Sequence, residues 1–225
     1  IGYISDPELR HDVSIDYDVI VPQDTSLTSQ TGSGDQKIDG IKGPLQVRSG
    51  SGDMHISGIT QRVEAHTGSG DLQMNDIGSD VRARAGSGNI EGDGVAGAFD
   101  AETGSGDVGL RQTAPGEVHV RTGSGEVDLH GVHGMVNANT GSGDVNIEGT
   151  PSGEWRLTAG SGTIKLHLPS QAAFDLDAST SSGEISLDHP VAVIGTVSRH
   201  SVRGRAGAGG SLVEIRTGSG NIEID

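Results

Sequence analysis

A chain that repeats Thr-Gly-Ser-Gly-Asp at a fixed short interval has few folds open to it. The motif stands intact at Thr31 to Asp35, Thr67 to Asp71, Thr103 to Asp107 and Thr140 to Asp144, with variants beginning at Ser49, Ala85, Thr122, Ala159, Thr180 and Thr217. Taking the residue after the Thr as marker (Gly32, Gly50, Gly68, Gly86, Gly104), the first four steps are 18 residues each. The next steps are 19, 18, 19 and 21, and the last is 37. Glycine this frequent forbids a stable helix, since each costs about 1 kcal/mol relative to Ala there. Units of this length cannot bury a face alone and must stack on one another.

Each unit has the same parts. An alternating stretch enters the glycine turn, as in Val63-x-Ala65-x-Thr67 or Val118-x-Val120-x-Thr122, and another leaves it, as in Leu72-x-Met74 or Val127-x-Leu129. Period-two alternation is the mark of a half-buried strand. The pattern predicts an all-β, single-stranded β-helix (β-solenoid) with about 18 residues and two short strands per rung, parallel sheets and capped ends. The strand-crossover preference favours a right-handed coil. Outward positions support the stacking. One column reads Glu64, Arg82, Asp100, His119 and its neighbour His66, Arg84, Glu102, Arg121, Asn139. Such opposite charges meet only if consecutive units are adjacent and in register, where each pair is worth about 0.2–1 kcal/mol. The parity that puts Val63, Phe99, Val118 and Val136 inside also puts Thr67, Thr103, Thr122 and Thr140 inside.

The whole chain, 1–225, reads as one solenoid domain. Residues 1–30 form an N-terminal lead-in and cap, with a strand expected over Val13–Val19 that Pro22 ends. Residues 31–187 are regular rungs. Residues 188–225 form a C-terminal irregular rung and cap. There the long step through Pro190 to Gly210 suggests a hairpin-like insertion, and Asn221–Asp225 is an alternating strand suited to the final edge. Trp155, Leu157, Leu176 and Ile215 replace smaller residues of earlier units and predict a wider C-terminal cross-section.

Composition excludes several classes. A net charge of -16 argues against nucleic acid, whose backbone needs clustered Lys and Arg, and against anionic lipid; it leaves cations open. There is no Cys, hence no disulfide framework or thiolate metal site. No run of 18 apolar residues exists, so no membrane span is expected in this chain. The sequence opens on Ile1 rather than Met, which suggests a trimmed N-terminus that a signal peptide or anchor once preceded.

Val21-Pro22, Leu27, the first Thr31 to Asp35 turn, the serial glycine turns and the ending Gly209 to Ile222 together carry a resemblance. The chain resembles the DUF4097 family, bacterial β-strand-repeat proteins that bear an adhesin label. The resemblance covers nearly the whole chain. It implies a single-stranded β-helix, exported or held at the cell envelope, and it brings no catalytic residues to carry over.

Candidate chemistry centres on the acidic column after each glycine turn: Asp35, Asp53, Asp71, Asp107, Glu126 and Asp144, with Asn89 and Thr163 in the same series. Stacked like charges repel, and Ca²⁺, which prefers oxygen ligands, could bridge adjacent turns. The competing reading is that each acid accepts backbone N–H bonds in its own turn. The calcium β-roll motif places a residue between its Gly and Asp, whereas Gly70, Asp71 and Leu72 are contiguous. A nucleophile elbow needs Gly-x-Ser-x-Gly on a strand-to-helix turn, which Gly-Ser-Gly on a strand does not supply. The nine His are scattered, and His130 and His133 show no partner constellation in sequence. The sequence therefore predicts a non-enzymatic, extracytoplasmic bacterial scaffold or interaction module. Its expected partners are an envelope protein, a glycan or another copy of itself. It needs no cofactor apart from Ca²⁺ in the alternative reading, a cation-binding structural module. A polysaccharide-active β-helix enzyme ranks third.

Overall fold

A computed structural model describes residues 16–188, 191–193 and 198–225. Every regular element among them is a strand. The chain runs through Leu27–Ser33 in one sheet, turns at the glycine corner, runs through Gln36–Asp39 in a second sheet and returns. Eight such rungs follow in chain order, the eighth being Trp155–Ser161 with Ile164–His167. Equivalent residues pair in parallel from rung to rung, as in Val63↔Val81↔Phe99 and Ser69↔Ser87↔Ser105. The result is the expected β-solenoid, with a twelve-stranded and a ten-stranded sheet enclosing the core between them.

Alternation decides what is inside. Leu45, Val63, Val81, Phe99, Val118, Val136, Trp155 and Val213 project inward from the twelve-stranded sheet, and Met54, Leu72, Ile90, Val108, Val127, Val145, Ile164 and Ile222 from the other; all are buried. Where one side chain outgrows its column, a neighbour shrinks. Phe99 stands among valines, and Gly92 stands between Met74 and Leu110. A Cβ on Gly92 would lie 2.9 Å from the Phe99 ring. Trp155 is fully buried because its indole N–H donates to Gly134 O at 2.8 Å, leaving no polar atom orphaned.

The two ends are closed differently. In the first rung two inward positions become polar while Leu27 and Ile38 stay apolar: Ser29 stands in register with Val47, and Gln36 with Met54. The Ser29 hydroxyl donates to Gln36 Oε1, and Gln36 Nε2 donates to Arg48 O. A polar terminal unit is what keeps an open solenoid end from recruiting apolar partners. At the other end Val191–Val193 and Ser201–Ala206 pair as an antiparallel hairpin against Phe174–Ser182, with Val202 and Ala206 buried. Arg203 and Arg205 pair with Asp177 and Asp175 across that seam. This is the hairpin expected in the long step; Pro190 lies outside the described residues.

Two expectations are corrected. Asp16 to Ile20 form no strand, and Tyr17, Val19 and Ile20 are exposed. Val13, Ser14 and Ile15 lie outside the described residues. The alternation there is satisfied by no partner strand, and Pro22 with Thr25 turns the chain directly into the first rung. The C-terminal strand is not an edge. Ser211–Ser219 lies between Trp155–Ser161 and Phe174–Ser182, and Ile222–Ile224 lies between Ile164–His167 and Ile185–Leu187. The last rung in sequence is the ninth of ten in space.

Candidate functional site

The recurrent motif builds one corner of the solenoid, and each of its residues has a separate physical task. The first glycine meets the rung before it. A Cβ on Gly68, Gly86 or Gly104 would sit 2.5–2.6 Å from the carbonyl oxygen of the equivalent glycine. The second glycine is held at positive φ, 138° at Gly70 and 137° at Gly88, and a Cβ there would approach the preceding rung to 2.2 or 2.0 Å. Glycine suits both places, and Ser181 is the one departure from it at the first of them. The Thr lies inside, as parity predicts, and its hydroxyl donates to the second glycine of the preceding rung. Thr103 reaches Gly88 O at 2.9 Å, Thr122 reaches Gly106 O at 2.9 Å, and Thr217 reaches Gly162 O at 3.1 Å. Ser49, shorter by a methyl group, leaves its buried hydroxyl without a partner.

The acidic column is also structural, though not in the way its sequence suggests. Each side chain accepts from the backbone of the next rung rather than of its own turn. Asp53 N–H donates to Asp35 Oδ1 at 3.0 Å, Asp71 to Asp53 at 2.9 Å, and Asn89 to Asp71 at 2.8 Å. Asp107 N–H donates to Asn89 Oδ1, Glu126 to Asp107, and Thr163 to Asp144. An amide oxygen serves as well as a carboxylate, which is why Asn89 interrupts the acids without interrupting the ladder. Glu126 departs: one methylene longer, it takes the Asn146 amide at 2.7 Å. Asp80 does the same work at the opposite corner, accepting from Ala98 N–H at 3.0 Å. Among the described residues no three of His, Asp and Glu are grouped to hold a metal ion.

His130 has the partners that the sequence did not reveal. Its Nδ1 lies 2.9 Å from Glu148 Oε2 on the next rung, and its Nε2 lies 3.2 Å from Asp128 Oδ2 on its own strand. The hydrogen bond to Glu148 raises its pKa above the ordinary 6.5, with the Asp128 charge adding and partial burial opposing. The same bond lowers Glu148 below the usual carboxylate range. The i, i+2 pair Asp128 and His130 was the available signal, since both side chains must share the outer face. With both ring nitrogens on carboxylates, His130 has none left to activate a hydroxyl nucleophile. His133 takes no part in this group.

The outer faces carry ladders of charge in the expected register. Arg82 Nε meets Asp100 at 3.2 Å, and Arg84 Nε meets Glu102 at 3.6 Å. On the other face Arg111 meets Asp93 at 3.4 Å, and Lys165 meets Glu223 at 3.6 Å. These are exposed pairs, worth little singly and acting together as a patterned surface. A shallow hollow lies on the twelve-stranded face between Arg48 and Arg84, over the shorter His66, beside Glu64 and Arg82.

The fold, the serial glycine corner and the hydrogen-bonded columns define a repeat protein of the β-solenoid class. Comparison with known families narrows that class: the family model for Toastrack DUF4097 matches residues 60–225, and the chain belongs to this family. The first two rungs precede the matched span and share its geometry. No curated protein and no solved structure matches the chain. A Toastrack β-solenoid suggests a non-catalytic scaffold, and Toastrack domains are typically interaction modules. Among the described residues no helix is long and apolar enough to cross a membrane.

Proposed function

We propose that the protein is a non-enzymatic, adhesin-like scaffold of the bacterial cell envelope that presents its two flat sheet faces as interaction surfaces. One observation carries the reading. Polar side chains at the corners are spent on holding rung to rung, while the outward columns of both sheets present charges in fixed register on a stiff support. Rigidity lowers the ordering cost of binding, so even shallow polar contacts yield net affinity. The resemblance in the serial glycine turns supports an extracytoplasmic place. The test is fractionation of producing cells with protease accessibility of the intact protein, followed by binding of purified protein to isolated envelope material. Accessibility from outside the cytoplasm with saturable binding supports the proposal. A strictly cytosolic protein that binds no envelope material overturns it.

A second reading, Ca²⁺ bridging along the acidic column, has one observation in its favour. Asp35, Asp53 and Asp71 stack on consecutive rungs, and the hydrogen bond along the column uses only Oδ1 of each carboxylate. Thermal unfolding with and without Ca²⁺ at millimolar level tests it. A melting temperature indifferent to the ion removes it.

A further inference from the structure

Arginine on the twelve-stranded face is as a rule answered by an acid one rung away. Arg82 meets Asp100 at 3.2 Å and Arg156 meets Glu214 at 2.8 Å, each pair opposite in register. Arg121 has Glu102 opposite it. Arg48 breaks the rule. Its neighbours in register are Gln30 on one side and His66 on the other, and the next residue of that column is Arg84. Among the described residues the Arg48 side chain enters no ion pair. Like charges on neighbouring strands of one face cost stability, and no acid stands in this column between Gln30 and Arg84 to offset it. The chain has 31 acids against 15 Lys and Arg, so the want of one here is local.

We propose that the hollow over His66 binds a single oxyanion group, a carboxylate, sulfate or phosphate carried on a sugar-sized molecule, gripped between the guanidinium groups of Arg48 and Arg84. This rests on the reading of the sheet faces as interaction surfaces and names the chemistry that one of them takes. The first argument is donor geometry. Arg48 and Arg84 stand two rungs apart, about 9–10 Å, with the shorter His66 between them, so their long arms can close on one group from both sides. A guanidinium presents a planar fork of N–H donors that matches two oxygens of such a group. Arg84 keeps its donors available, because its Nε lies 3.6 Å from Glu102, longer than a hydrogen bond. His66 offers at least one ring N–H in either protonation state. The second argument is what the surroundings do with charge. Glu64 is the one acid of the lining, and it is engaged: Gln46 Nε2 donates to it at 3.3 Å, and Arg82 stands opposite it in register. The third is size. The hollow holds about 290 Å³, near the lower end of small-molecule sites, roughly 300 Å³. Val47 and Ala65 turn their side chains into the core, so the floor is backbone and gives a carbon-bearing ring a flat seat between the arginine stems.

The test is an NMR titration of the full chain at low salt with glucuronate, glucose 6-sulfate and glucose 6-phosphate, and with glucose as the neutral control. Saturable shifts of the Arg48 and Arg84 side-chain N–H groups and of the His66 ring are expected with the acidic probes and not with glucose, and the tightest of the three tells carboxylate from sulfate from phosphate. Added salt weakens the binding by screening. Arg48→Gln weakens it at least about tenfold, the usual loss for a hydrogen bond to a charged group. Arg111→Gln, on the other face, leaves it unchanged. No saturable shift with any acidic probe overturns the proposal. So does an equal response to glucose, and so does a response at Arg121 and Arg205 equal to that at Arg48, which marks loose counterions. Melting temperature separates this role from a structural one. Arg48→Glu puts an acid where the column lacks one, so the variant should melt higher than the parent while losing the probes. A lower melting temperature with probe binding retained shows an arginine kept for the sheet and overturns the site. Binding to envelope material by a protein that takes none of the probes removes this site and leaves the interaction-surface reading standing, so the two failures are distinguishable.

Discussion

From Leu27 to His167 each rung lies on the one before it in sequence; from Phe174 onward, chain order and stacking order part. The difference shows that order along the chain does not fix stacking order at this end. The final rung carries Thr217-Gly-Ser-Gly-Asn221 complete, and a Cβ on Gly218 would meet Gly160 O at 2.5 Å. The rung at Phe174–Leu187 carries Thr180-Ser-Ser-Gly, with Ser181 where every other corner has its first glycine. The unbroken corner takes the interior slot and the broken one goes to the end. Charges agree. Arg156, Lys165 and His167 pair with Glu214, Glu223 and Asp225 of the inserted rung. The Glu214 bond holds Arg156 more firmly in its charged form.

The largest test of this contrast removes a rung from each region. Deleting Ser211–Asp225 empties an interior slot, and loss of the cooperative unfolding transition is expected by circular dichroism. Deleting the chain up to Asp39 strips an outer rung, and a cooperative transition with a lower midpoint is expected. Equal effects would break the distinction between interior and edge.

Next in size are the corner glycines. Gly88→Ala meets Gly70 O at 2.0 Å and carries a φ of 137°, so a loss of about 3 kcal/mol or more is expected in urea unfolding. Gly32→Ala, at the corner that no rung precedes, meets nothing within 4 Å and should stay within about 0.5 kcal/mol. Gly218→Ala should destabilise like the first and not the second, because its Cβ meets Gly160 O at 2.5 Å when the last rung in sequence stacks on the eighth.

The Thr column offers a smaller, two-way test. Thr103→Val strands Gly88 O and should cost about 1–2 kcal/mol, whereas Ala85→Thr supplies a hydroxyl where the column lacks one and should gain up to about 1 kcal/mol. The same measurement of chemical denaturation reads both.

His130 gives a test confined to the sequentially stacked region. Its folded pKa is raised, so its contribution is fully present below the unfolded value of 6.5 and is lost as pH rises through the folded value. The stability difference between the protein and His130→Gln should shrink with rising pH through that window. In Glu148→Gln the His130 titration, followed by NMR, should move down toward 6.5. The smallest effect is expected at Asp76, a non-glycine at φ 54° in register beside Gly58 and Gly94. There Asp76→Gly exchanges left-handed strain for backbone entropy and should change stability by less than about 1 kcal/mol.

Much of the fold was legible because a repeat states its rule many times. Period, parity and alternating charge located the strands, the inward Thr and the register, and each is local or one rung away. What escaped was information that a single column does not carry. The acceptor role of Asp53 was readable from its turn, but its donor sits a full rung on, at Asp71. His130 needed both a same-strand and a next-rung partner to stand out. The insertion of the last rung was not legible, because Ser181 lies over Gly218 as Gly218 lies over Gly160, and neither corner alone singles out the interior slot. Val13 to Val19 alternates as a strand does, and its described part, Asp16 to Val19, shows that alternation without a partner edge does not make one.

The interleaved end has a consequence for how the protein is made. A ribosome delivers the first eight rungs in the order in which they stack, so each can settle as it emerges. The segment Phe174–Leu187 arrives with its proper neighbour still unmade, and until Ser211–Asp225 follows, the strand edges of Trp155–Ser161 and Ile164–His167 stay unpaired. Such edges invite wrong partners. Completion therefore waits until Ser211–Asp225 has emerged, and a product stopped before that segment keeps its open edges, which marks it for quality control.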